Sequence, residues 1–143
     1  MSRRTALLAS LVLSAACAGD ANAPSTTVVG RFGGRATELV ASADRVRVQF
    51  VCGSAIFGQP IVPEADGQFS LAPVLVSSRT GPAALAIKGV VSTGQIAFDA
   101  VALSSSGEVT TTHHVVHLNQ AADYSGLACL AEGNNQLPNT PQY

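Results

Sequence analysis

The stretch from Arg45 to Cys52, RVRVQFVC, sets Arg45, Arg47 and Gln49 against Val46, Val48, Phe50 and Cys52 in strict alternation. A period of two places the two sets on opposite faces of an extended chain, which predicts an antiparallel strand buried on one side only. The preceding ATELVAS and the intervening SAD complete a hairpin, with Asp44 as the turn former. Further apolar segments follow at intervals of about ten residues: SAIFG, QPIV, GQFSL, ALAIKGVV, QIAFDAVAL, EVTTTHHVVHL and a last short one, GLACL. Clusters of Gly, Asp and Ser separate them, among them EADGQ at 64–68 and SSSGE at 104–108. No segment holds a helical period beyond two turns. The expected fold class is therefore all-β, a small antiparallel β-barrel or sandwich of about seven to nine short strands, spanning residues 28–131.

Composition narrows the function classes. Charged residues make up only 12% of the chain against 47% hydrophobic, which argues against long helices with solvated faces. Five Phe, two Tyr and no Trp leave little material for a platform that stacks bases or sugars. With Arg3 and Arg4 assigned to a leader, six basic side chains face nine acidic ones, so nucleic acid is not an expected partner. Arg31, Arg35, Arg45 and Arg47 read as a solvated strand face, with an anion-binding patch as the alternative.

The N-terminus supplies an address. Residues 2–16, SRRTALLASLVLSAA, are two arginines followed by an uncharged apolar run that ends in small side chains, the layout of a secretory signal peptide. The run is shorter than the roughly 20 apolar residues a membrane-spanning helix needs. The following LSAAC resembles the lipobox of bacterial lipoproteins, with Ala15 and Ala16 in place and Ser14 where that family prefers Leu. The resemblance implies cleavage before Cys17, acylation of that residue and a membrane anchor through its lipid. Ala18, rather than Asp, after the cysteine favours outer-membrane sorting by the rule of enteric bacteria. The alternative is plain secretion, as a soluble or periplasmic protein, after cleavage before Gly19 or Pro24. SRRTALL also permits a twin-arginine export signal, although Ala6 stands where that motif usually carries a bulky apolar residue. Residues 17–27 then form the lipidated cysteine and a flexible tether, and residues 132–143, EGNNQLPNTPQY, a disordered tail.

Only three cysteines occur, and outside the cytoplasm unpaired thiols are unusual. If lipid occupies Cys17, Cys52 and Cys129 remain as one pair. A bridge between them would join the two ends of the domain and stabilise it by about 4 kcal/mol in the chain-entropy model. Two buried free cysteines are the alternative.

The order FGG, VRVQFVCGSAIFGQPIVPEADGQF, IKGVVSTGQIAF and a closing ACL resembles a group of uncharacterised small bacterial secreted proteins and lipoproteins. Phe32 before Gly33 and Gly34, Cys52, Pro60 and Ile61, Gly67 and Phe69, Gly89, Gly94, Ile96, Phe98 and Cys129 occupy the group's shared positions. The resemblance covers about residues 30–130 and implies a compact antiparallel domain closed by one disulfide. It brings no catalytic residues.

The chain's own chemistry is sparse. HHVVH places His113, His114 and His117 together, and on a helix His113 and His117 would share a metal-compatible face. The flanking EVTTT and VV favour a strand, where His113 and His117 stand roughly 13 Å apart and His114 points the other way. His113 and His117 are thus candidate metal ligands, with polar strand positions as the simpler reading. No Gly-x-Ser-x-Gly occurs, and Ser54 lacks a strand-to-helix setting for a nucleophile. Glu64 and Asp66 sit in an apparent turn. Asp99, within an apolar strand, must meet solvent, a partner or a cavity. The expected role is a non-catalytic lipoprotein of the bacterial envelope, structural or interacting with a protein or small-molecule partner, without a cofactor. Alternatives are a small-molecule-binding barrel and a metal-binding protein through His113, His114 and His117.

Overall fold

A computed structural model describes residues 26–78 and 81–128. The segments expected to be a signal peptide (1–16), a lipidated Cys17 with most of its tether, and a C-terminal tail (132–143) lie outside the described residues, as does Cys129. Those described form eight antiparallel strands and no helix. Four are short: β1 (Gly30–Gly34), β2 (Thr37–Ala41), β3 (Val46–Phe50) and β4 (Gly53–Phe57). Four are long: β5 (Gln68–Ser78), β6 (Gly81–Ser92), β7 (Gln95–Ser104) and β8 (Val109–Leu118).

The spatial order is β4-β3-β2-β1-β8-β7-β6-β5. This is an up-and-down meander in which β1 also pairs β8, through Phe32↔Leu118 and Gly33↔His117. The sheet is a nearly closed barrel rather than a sandwich: β4 and β5 come alongside each other at the seam without a ladder between them. Every other junction between sequence neighbours is a hairpin, which is how a chain of short alternating segments closes its own edges.

The period-two pattern explains which side chains fill the barrel. Val46, Val48 and Phe50 point inward from β3, meeting Leu39 and Ala41 of β2 and Ala55 and Phe57 of β4. Leu85 and Ile87 of β6 and Ile96, Phe98 and Ala100 of β7 supply the opposite wall. Ile61, fully buried, enters from the β4–β5 connection. These residues belong to one contiguous hydrophobic core, and each large side chain removed from water contributes about 1.5–3 kcal/mol.

Several expectations need correction. The RVRVQFVC strand stops at Phe50; Val51 and Cys52 form a two-residue turn into β4, and the Gln49 amide secures it by donating to the carbonyls of Phe50 and Gly53. QPIV is not a strand, because only Ile61 pairs, in a single bridge with Val28. GQFSL is the first half of a longer strand that continues past Pro73, where the register shifts between Leu71 and Val74; proline lacks an N–H and is accepted at such a bulge on an edge strand. The described part of GLACL, Gly126–Ala128, begins within a turn and is not a strand.

Gly33 and Gly34 acquire a physical reason. A Cβ at Gly34 would lie 2.1 Å from the Val115 carbonyl oxygen, and one at Gly33 2.2 Å from that of Gln120. Backbone from β8 and from the segment after it presses on both faces of β1, at distances only glycine permits.

Candidate functional site

Strand β8 presents two different surfaces. Thr110, Thr112, His114 and Val116 face inward opposite Ala102, Ala100, Phe98 and Ile96 of β7, whereas His113 and His117 face outward. The sequence expectation for the histidines therefore holds as geometry: His114 parts from its two neighbours.

The inward cluster is built from four strands. The His114 ring stacks on Phe98, with centroids 5.2 Å apart and planes at 24°, and meets Phe50 at 5.2 Å in a tilted contact. Its Nδ1 lies 2.6 Å from the Thr37 hydroxyl and its Nε2 3.0 Å from that of Thr112. A neutral imidazole offers one donor and one acceptor, and a hydroxyl can answer either, so both ring nitrogens are satisfied without an ion. Thr37 is fully buried, and this contact partners its hydroxyl. Burial, with a smaller push from His113, brings the His114 pKa down to about 4, against a small upward pull from Asp99. The ring is neutral at physiological pH and occupied at both nitrogens, which suits a structural polar core better than a ligand or a base.

On the outer face, Asp99 and His113 form a cross-strand pair, Oδ1 to Nδ1 at 2.8 Å, with more than half of each side chain exposed. Lys88 of β6 stands opposite Asp99 on its other side. Asp99 thus meets solvent and a partner. His117 stands opposite Gln95. Among the described residues, no three His, Cys, Asp or Glu side chains gather as a ligand set.

The arginines are largely answered by acids. Arg31 pairs with Glu38, Arg35 with Asp123 at 3.8 Å and Arg45 with Asp44 at 3.0 Å, while Arg47 donates to Gln49. Asp44 also accepts from Ser42, forming the expected β2–β3 turn, and these partners hold its carboxyl below the usual range. Asp66 accepts from the Gln68 amide and shapes the turn into β5.

A strap follows β8. Asn119, at φ 60, reverses the chain, which crosses β1 beside Gly33 and bonds Asp123 to the backbone of Gly34 and Ala36. The Tyr124 hydroxyl then donates to the Gln49 carbonyl at 3.3 Å. Sequence reasoning missed both this strap and the Thr37–His114–Thr112 cluster. The signal for the cluster was available: even-numbered residues 110–114 of β8 are polar on the face that continues into Val116.

No family model matches the chain, and neither a curated protein nor a solved structure matches it.

Proposed function

We propose that this chain is a non-catalytic lipoprotein of the bacterial envelope, anchored through lipid on Cys17 and acting as an interaction module. The observation that carries the reading is where the barrel keeps its uncommitted apolar surface. Leu75, Ala84, Leu103 and Val109 form one cross-strand row on the outside of β5–β8, with Leu75 81%, Leu103 45% and Val109 62% exposed. Inside, large apolar side chains of the described residues are fully buried, and the Thr37–His114–Thr112 cluster satisfies itself. A chain of this kind meets its partners with its outer wall.

The Cys52–Cys129 bridge belongs to the same proposal. Tyr124 brings the strap onto Gln49, three positions before Cys52, and only four residues lie between Tyr124 and Cys129.

Intact mass of the protein from bacterial membranes, before and after reduction and alkylation, tests both points. A diacyl or triacyl adduct on a chain beginning at Cys17, with two cysteines labelled only after reduction, is the expected result. An unacylated chain beginning at Gly19 or Pro24 would overturn the anchor, and labelling of Cys52 and Cys129 without reduction would overturn the bridge.

A further inference from the structure

The long strands run past the short ones, and this leaves β8 with an edge. β1 pairs β8 only at Leu118 and His117, so the ladder on that side ends while β8 continues to Val109. The hydrogen bond from the Leu118 amide to the Gly94 carbonyl sets the phase of the β7–β8 ladder. Even-numbered residues of β8 therefore exchange bonds with β7, and odd-numbered residues turn their N–H and C=O the other way. For Val109, Thr111 and His113 these groups find no backbone partner among the described residues.

Of the sheet's two terminal strands, β4 lies beside β5 at the seam and β5 is guarded, whereas this stretch of the interior strand β8 is not. β5, the edge strand at the far side, carries Pro73 and a register shift beside it, two devices that discourage strand addition. The β8 edge is VTTTH, regular through every pair with β7, β-branched at four positions, and free of Pro, Gly and Lys. An unguarded edge of this composition is a template for another strand.

We propose that the occupant is a second copy of this chain, its β8 lying antiparallel to the first about a two-fold axis at Thr111. The edge is self-complementary in that register. Thr111 exchanges both backbone bonds with Thr111 of the second copy, and Val109 and His113 exchange theirs with His113 and Val109. The outer-face row Ala86, Val101, Thr111 then continues through the axis into the same three residues of the second copy. A two-fold contact of one patch with itself is the common form of a homodimer. The inference rests on the preceding reading only in taking the outer wall of the long strands as the contact surface, and is independent of the lipid.

Sedimentation of the full mature chain in detergent tests it, using charge at the axis. The wild type is expected to sediment as a dimer by about 100 µM chain. Thr111→Lys and Thr111→Glu each place like charges opposite themselves and should each weaken association about tenfold or more. Mixing the two variants should restore it. Thr111 is exposed and its backbone groups point away from β7, and rescue on mixing excludes misfolding as the cause. A monomeric wild type, a dimer indifferent to either charge, or failure of the mixture to recover would each overturn the proposal. None of these results depends on the acyl mass at Cys17, so the anchor and the dimer fail separately.

Discussion

The four short strands and the four long ones build one barrel but differ in what covers its outer wall. β1–β4 turn Arg31, Glu38, Arg47, Gln49 and Ser54 outward together with Val40 and Ile56, and a strap that begins at Asn119 crosses this wall, fastened by Asp123 and Tyr124. β5–β8 turn Leu75, Ala84, Val101, Leu103 and Val109 outward and extend past the short half. The lesson is a division of labour along one sheet. The strap covers part of the short half's wall, whereas Leu75, Leu103 and Val109 of the long half stay exposed among the described residues, and the proposed contact falls on that side.

The largest test of this contrast is Phe98→Ala. Phe98 is 1% exposed, packs on His114 and belongs to the long half's inner wall. Its truncation should cost about 3–5 kcal/mol in denaturant unfolding. A loss below about 1 kcal/mol would mean that the interior is not packed as described.

Gly33→Ala attacks the short half's cover instead. The new methyl would collide with the Gln120 and Ala121 backbone, so the strap must lift or β1 must shift. A stability loss of about 1–3 kcal/mol is expected, with faster hydrogen exchange at the Ala36 and Asp123 amides, which bond across the strap. Unchanged exchange would show that the strap does not rest on β1.

The smallest effect concerns the place where the halves meet, Thr37 of β2 against His114 of β8. The folded-state pKa of His114, about 4, lies below the ordinary value of 6.5. Between these values the unfolded chain binds more protons than the folded one, so stability is full above about pH 6.5 and falls as pH drops toward 4. The loss should be about 1–2 kcal/mol, reduced from the full linkage because the ring is partly exposed. His114→Phe should flatten the His114 contribution to the pH dependence across that window. A profile unchanged by the substitution would remove His114 as its source.

Period two made much of this architecture legible. β2, β3, β4, β6, β7 and β8 announce themselves by alternation, and Asp44, Gly94 and the SSSGE turn mark hairpins between them. Two boundaries were less legible because apolar character continued beyond the pairing. Val51 and Cys52 extend an apolar run into a turn, and QPIV is apolar because Ile61 plugs the barrel, not because it joins a ladder. The β1 strand, GRFGG, hides for the opposite reason: glycines carry no hydrophobic signal, and their value lies in the backbone they admit.

The sequence by itself determined the all-β class, the inward face of β3 and the parting of His114 from His113 and His117. These follow from local alternation, which needs no knowledge of distant residues. Only the tertiary structure decided that the sheet curls into a nearly closed barrel, that Thr37 meets His114 across 77 positions, and that β8 outruns β1. Closure, strand stagger and the contents of an edge depend on how separate hairpins align, and the hydrogen bonds that align them carry no side-chain code.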